Sequence, residues 1–357
     1  MNSYDKDFPK LIIGDLTLDI PIIQGGMGVR ISKASLTSEV SECGGMGVIA
    51  SVGLGDEFES LDENYTNKSA EALRETIKET RQKTKKPFGV NIMVALSNYK
   101  SLCRVCDEEK VNAIISGAGL PLTLPSYITN KNIKLIPIIS SAKAADLILK
   151  YWLKKYDRFP DAFVIEGPLA GGHLGFNKDE LKNPKPLLEI VSGVKLLMNK
   201  DEKTKKIPLI AAGGIFTGKD ILSALEVGAK GVQMATRFIA TKECDAIDQI
   251  KQLCLNVKKE DVVIIDSPVG LPGRVLRNKF VDKILSGKKI KFECPYKCLR
   301  TCKQDEAQFC IAQALVEASK GNFEEGFIMP GSNVYRLNKI ISVKELLEEL
   351  RKEAYCG

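Results

Sequence analysis

The sequence has 357 residues, 44% of them hydrophobic and 27% charged, an ordinary globular composition with room for one large core. Its net charge of +7 comes from lysines scattered over predicted helical surfaces, such as Lys83, Lys85 and Lys86, which argues against a nucleic-acid footprint. No apolar run approaches the ~20 residues of a membrane span, and the opening MNSYDKDFPK lacks the apolar core of a signal peptide, so a cytoplasmic protein with no membrane partner is expected, its ten cysteines reduced or metal-bound.

Short apolar, β-branched runs predict strands at 21–24, 47–50, 88–94, 113–116, 135–140, 162–166, 208–212 and 231–238. Their near-continuous apolarity suits parallel strands covered on both faces. Helical periodicity fills the intervals at 35–43, 70–83, 99–109, 142–155, 186–198 and 217–227, with a weaker helical pattern over 120–130. Strand and helix in alternation predict an α/β fold, a TIM-type (β/α)₈ barrel. An open doubly wound sheet is the structural alternative, but its GxGxxG fingerprint after the first strand is absent. The alternation stops after Phe238. Residues 239–320 read as a smaller inserted lid with a hairpin over 261–275, and residues 1–238 and 321–357 as the barrel, closed by a helix over 341–353.

Five segments carry candidate chemistry. Gly213-Gly214 ends the seventh strand, with Thr217 and Gly218 opening a helix, and Ala235-Thr236 ends the eighth. The loops after those two strands often form a phosphate site in barrels, where small residues admit the anion to backbone N–H groups and a helix N-terminus adds its dipole. Gln24-Gly25-Gly26-Met27 ends the first strand, where a glycine pair lets a flat ring lie against backbone and methionine offers a polarizable contact. Glu166 leads a glycine-rich stretch through Gly171 and Gly172 to His173, the only histidine in the chain. It is the side chain best suited to move a proton near neutral pH. Cys294, Cys298, Cys302 and Cys310 are four thiols in 17 residues, with spacing that aligns the first three on one face if the segment is helical. A Cys₄ site for an iron–sulfur cluster or zinc is one reading, and inert packing is the other.

The pieces PIIQGGMG (21–28), CGGMGVIA (43–50), FGVNIMV (88–94), SGAGLP (116–121), EGPLAGGHLG (166–175), AAGGI (211–215) and QMATRF (233–238) follow one another along the barrel. In that order they resemble the nitronate monooxygenase family, once called 2-nitropropane dioxygenases, relatives of the FMN-dependent enoyl-acyl-carrier-protein reductases. The resemblance implies noncovalent FMN at the C-terminal barrel face. Gly25, Gly26 and Met27 would lie against the ring, with Asn91 and Gly117 near its polar edge or ribityl chain. Gly171 and Gly172 would border the flavin. Gly213, Gly214, Ala235 and Thr236 would hold the phosphate, and His173 matches the family's active-site histidine.

It further implies a small-molecule substrate, O₂ or NAD(P)H as co-substrate, and a homodimer. Nitronate monooxygenase activity is the leading expectation, with His173 as base. NAD(P)H-dependent reduction of an enoyl thioester or quinone is the alternative, and a non-enzymatic flavin- or cluster-bearing regulator is a third class. The chain departs from the family at Leu169, where relatives often carry a second acidic residue, at Gly331-Ser332-Asn333, and in the cysteine-bearing insertion. All three fall on the substrate side.

Overall fold

Successive residues of a strand point to opposite faces, so a strand buried on both sides needs apolar residues at every position. In the computed structural model, which describes residues 7–55, 64–294 and 297–355, the apolar runs do form such strands. An N-terminal hairpin of β1 (Leu11–Ile13) and β2 (Leu16–Leu18) precedes β3 (Ile22–Gln24), β4 (Gly47–Ala50), β5 (Phe88–Met93), β6 (Ala113–Gly117), β7 (Lys134–Ile139) and β8 (Phe163–Glu166). The two-residue β9 (Gly172–His173) stands apart, and β10 (Leu209–Ala212) and β11 (Gly231–Met234) complete the set.

Eight of these run parallel in the order β3-β11-β10-β8-β7-β6-β5-β4. A bridge between Ile23 and Met46 joins the two ends, so the sheet closes into the expected (β/α)₈ barrel. Inside it lie Ile23, Val48, Ile115, Ile136, Val164 and Ile210, and Leu11, Ile13 and Leu18 of the hairpin pack against this inner cluster.

Helices α1 (Ala34–Glu42), α2 (Tyr65–Lys83), α3 (Tyr99–Glu108) and α4 (Ala142–Tyr156) follow successive strands. The short α5 (Lys178–Lys182) leads into α6 (Leu187–Met198), and α7 (Gly218–Val227) separates β10 from β11. The weak helical pattern at 120–130 becomes one 3₁₀ turn, Leu124–Tyr127, with Pro125 at its start; a proline early in a segment supplies no N–H for a continuing helix. The predicted strand 231–238 stops at Met234, and α8 (Thr236–Ile239) begins after the single residue Ala235.

Beyond α8 come α9 (Asp248–Leu255), the antiparallel pair β12 (Val262–Asp266) and β13 (Pro272–Leu276), α10 (Lys279–Leu285) and α11 (Ile311–Ser319). The expected hairpin is present. Its strand β13 also pairs with β9, so the segment joins the barrel's own loop. Phe280, Phe309 and Phe327 pack ring to ring within the same buried apolar cluster that runs between barrel strands and helices.

The last helix, α12 (Val343–Tyr355), buries Val343, Leu346 and Leu350. Arg237 ties it to the barrel through Glu349 (3.0 Å) and Glu353 (3.6 Å). Replacing the fully buried Leu350 by alanine should cost roughly 2–5 kcal/mol, the range for emptying a buried leucine site. Urea unfolding would measure it, and a loss below about 1 kcal/mol would contradict the packing described.

Candidate active site

The C-terminal ends of the barrel strands converge on one cavity of about 230 Å³. Gly25, Gly26 and Met27 after β3, Asn91 on β5 and Gly117 on β6 line one part of it. Glu166, Gly171, Gly172, His173, Gly213, Gly214, Ala235 and Thr236 line the rest. The structure therefore gathers every residue singled out for the cofactor except Gln24. That side chain is fully buried: its Oε1 accepts from Val48 N–H (2.9 Å) and its Nε2 donates to Gly25 C=O. It secures the seam where β3 meets β4, and the side chain does not line the cavity.

Close approach explains the glycines here. A Cβ on Gly26 would stand 2.5 Å from Asn91 Cβ. Gly213 and Gly214 have φ of 86° and 101°, the left-handed region where side chains are strained. Among the described residues no acceptor takes the N–H of Gly214 or Thr236, and Gln233 Oε1 is buried without a partner. The expected contribution of the α7 N-terminus does not materialise. Asp220 accepts from the N–H groups of Phe216 (3.0 Å) and Thr217 (2.8 Å), and Glu353 accepts from Gly218 (2.8 Å). The helix start is largely satisfied by its own cap and by Glu353, so the phosphate reading rests more on strand-end N–H groups such as those of Gly214 and Thr236.

A segment not singled out for the cofactor covers this end of the cavity. Gly331 N–H donates to Thr236 Oγ1 (3.0 Å), Asn333 Nδ2 to Gly214 C=O (2.9 Å), and Gly172 N–H to Met329 C=O (3.0 Å). Gln233, within the run QMATRF, also lines the cavity, although its position on β11 alone gives it no distinguishing signal.

His173 sits on β9, opposite Gly273 of β13. Its Nε2 shares a 2.9 Å hydrogen bond with Ser267 Oγ, from the turn between β12 and β13. Burial pushes its pKa down to about 4, so the ring is neutral at physiological pH. Arg274, next on β13, is buried and donates to the carbonyls of Pro168 (2.8 Å) and Ala170, clamping the loop that carries the histidine.

A second, larger cleft of about 710 Å³ shares Ala118, Ile138, Glu166 and His173 with the first. Its wall is mainly apolar, with Leu120, Ile139, Phe176, Leu271 and Pro272. Lys178 and Asp266, ion-paired at 2.7 Å, stand at its exposed rim. Glu166 faces both spaces, and burial raises its carboxyl pKa to about 8 despite the distant Arg274 charge.

The cysteine expectation needs correction. Residues 290–310 contain no helix among the described residues, so the four-residue spacing aligns nothing. Cys294, Cys302 and Cys310 lie near enough to Cys298 for their charges to raise its pKa, but burial is the larger cause. Among the described residues no group of three or more histidine, cysteine, aspartate or glutamate side chains is arranged to hold a metal ion, which leaves an iron–sulfur cluster or zinc at Cys294, Cys298, Cys302 and Cys310 without support. No described helix is long and apolar enough to cross a membrane.

Fold and site together define a flavin-dependent α/β-barrel oxidoreductase. The chain belongs to the nitronate monooxygenase family, whose model matches residues 10–101 and 94–353. FabK from Thermotoga maritima is 31% identical, with a TM-score of 0.73 over 94% of this chain and 93% of that one. A Mycobacterium tuberculosis (3aS,4S,5R,7aS)-5-hydroxy-7a-methyl-1-oxo-octahydro-1H-indene-4-carboxyl-CoA dehydrogenase is 30% identical over 77% of this chain and 68% of its own length. A probable nitronate monooxygenase of Staphylococcus aureus is 28% identical over 75% and 78%. Nitroalkane oxidase from Streptomyces ansochromogenes shares the fold at 20% identity, with a TM-score of 0.73 over 94% of this chain and 96% of that one.

Proposed function

We propose that this oxidoreductase holds FMN in the smaller cavity and reduces an extended, largely apolar substrate of the enoyl-thioester class in the larger one, with NAD(P)H as donor. The observation that carries this reading is the 710 Å³ cleft beside His173. Pockets of ~300–1,000 Å³ suit drug-sized ligands, whereas a three-carbon nitronate would leave most of this one filled with water. The relatives at 30% and 31% identity, the M. tuberculosis carboxyl-CoA dehydrogenase and the enoyl-acyl-carrier-protein reductase FabK, support a thioester substrate.

Three features of the cradle fit FMN. The glycine surface at 25–26 lets a flat ring approach backbone, where the Cβ of any other residue at 26 would meet Asn91. The unpartnered amide oxygen of Gln233 can accept from a ring N–H. The free N–H groups of Gly214 and Thr236 suit a phosphate. FMN bound there supplies the two-electron chemistry. The protein's own share is to bind, orient and exclude water. Met27 and Ile138 give the smaller cavity apolar walls, and the Ser267 hydrogen bond orients the neutral His173 ring where it lines both spaces. That imidazole can hydrogen-bond a thioester carbonyl or accept a proton from an acidic C–H.

Nitronate oxidation with O₂ is the second reading, favoured by the family and by the neutral base at His173. Steady-state assays separate the two. With 2-enoyl-CoA substrates of increasing length, kcat/KM for NADH or NADPH oxidation is expected to rise as the chain fills the cleft. Fast turnover of propyl-2-nitronate under air, with no enoyl-dependent NAD(P)H oxidation, would overturn the reductase reading.

A further inference from the structure

We propose that Glu166 is a second catalytic residue of this site, a neutral carboxylic acid that delivers a proton to the substrate in the larger cleft. The inference rests on the reductive reading above.

Position comes first. Glu166 is the last residue of β8, at the catalytic end of the barrel, and its side chain faces both the cradle and the cleft. His173, seven residues further on, faces both as well. Few other residues have that placement, and Glu166 is the one carboxyl among them.

Charge state comes next. Glu166 is half-buried, and a carboxyl withdrawn from water without hydrogen-bond donors or a paired cation favours its protonated form. The Glu166 side chain makes no hydrogen bond and no ion pair with any described residue. The charged or titratable groups around it are few. From β13, Arg274 spends its guanidinium on the carbonyls of Pro168 and Ala170. From β9 there is His173, uncharged when buried. The flanking strands β7 and β10 bring only Ile138, Ile139 and Ala212 to these spaces. Lys178 and Asp266 neutralise one another at the rim. Only the unpaired Arg274 charge favours the carboxylate form, and withdrawal from water outweighs it, with the pKa raised to about 8.

Two titratable groups pushed in opposite directions by their surroundings divide acid from base. His173 is neutral down to about pH 4, so it has no imidazolium proton to give at neutral pH. Glu166 does have a proton. Hydride addition to the β-carbon of an enoyl thioester, chemistry that a bound flavin would supply with NAD(P)H as donor, would leave the C=C π pair on the α-carbon. That pair forms the new C–H bond with the Glu166 proton as the O–H bond breaks, and the electrons of that bond stay on the carboxylate. The substrate gains hydride and proton, the nicotinamide is oxidised, and the carboxylate regains a proton from water through the open cleft. Arg274, close enough to lower the carboxyl pKa without pairing with it, steadies the transient anion.

The test compares the holoenzyme with Glu166→Gln and Glu166→Asp. Infrared difference spectra across a pH titration should show a protonated-carboxyl C=O band that disappears with a midpoint near 8 and is missing in Glu166→Gln. FMN content should remain, while enoyl-thioester reduction falls by ~10²–10⁴-fold in the glutamine variant. Glu166→Asp should recover part of that loss and move the alkaline limb of the rate profile. Absence of a band titrating above pH 7, or wild-type reduction by Glu166→Gln, would overturn the proposal. If no enoyl substrate is reduced even by the wild type, the reductive reading falls, and Glu166 as its proton donor falls with it; a carboxyl band near pH 8 would then mark only a buried neutral acid.

Discussion

Thr236→Glu is expected to purify colourless and to take up FMN at least ~10³-fold more weakly than the wild type. Thr236 stands where β11 gives way to α8, its N–H free and its Oγ1 accepting from Gly331. A carboxylate there would sit against the proposed phosphate. Two unit charges ~4 Å apart in a partly buried site repel by about 4 kcal/mol, and each 1.4 kcal/mol is about tenfold in affinity. Thr236→Ser keeps the hydroxyl and should keep the colour. The wild type should release FMN, not FAD, because the paired strand ends at 213–214 and 235–236, to which Asn333 and Gly331 are bonded, suit one phosphate group. Chromatography of the released cofactor, with circular dichroism to verify folding, makes the comparison. Stoichiometric FAD from the wild type would contradict this assignment.

The second large effect is expected at His173. Alanine or asparagine there should leave FMN bound and slow the step involving substrate by ~10²–10⁴-fold, the usual contribution of a positioned acid or base. The pH profile makes the role specific. Burial holds the folded pKa near 4, below the ordinary 6.5, so the neutral ring persists as pH falls through 6.5 and is lost only toward 4. The wild-type rate should therefore show no acidic limb near 6.5. Under the nitronate reading the loss should be larger for neutral nitroalkanes than for preformed nitronates, which need no deprotonation. Equal losses on both would reduce His173 to a binding role.

Much of this architecture was legible in the sequence because parallel strands buried on both faces leave unbroken apolar runs, and because glycines at strand ends mark close approach. Gly213, Gly214, Ala235, Thr236 and the Gly171–His173 turn were all found that way. What escaped was held together across long stretches of chain. The His173–Ser267 bond spans 94 residues and the Thr236–Gly331 bond 95. Two-residue β9 is too short for any periodicity, and its partner β13 lies about a hundred residues on.

Some local signals misled. The cysteine spacing suits a helix, but the segment is irregular. Gln24 adjoins the glycine pair, yet its buried side chain bonds to backbone and does not line the cavity. A different signal was present and unused: Thr217 followed by Asp220 is a capping box, which predicts a helix end that satisfies its own donors.

The account turns on where electrons enter and leave. Anaerobic stopped-flow spectra of the FMN-loaded protein, mixed with NADH or NADPH and then with a long-chain 2-enoyl-CoA or with propyl-2-nitronate, address that directly. The expected result is rapid bleaching of the flavin absorbance by one nicotinamide and its return on adding the enoyl thioester. Bleaching by the nitronate alone, with both nicotinamides inert, would contradict the reductase reading and make this chain a nitronate oxidase on the same barrel.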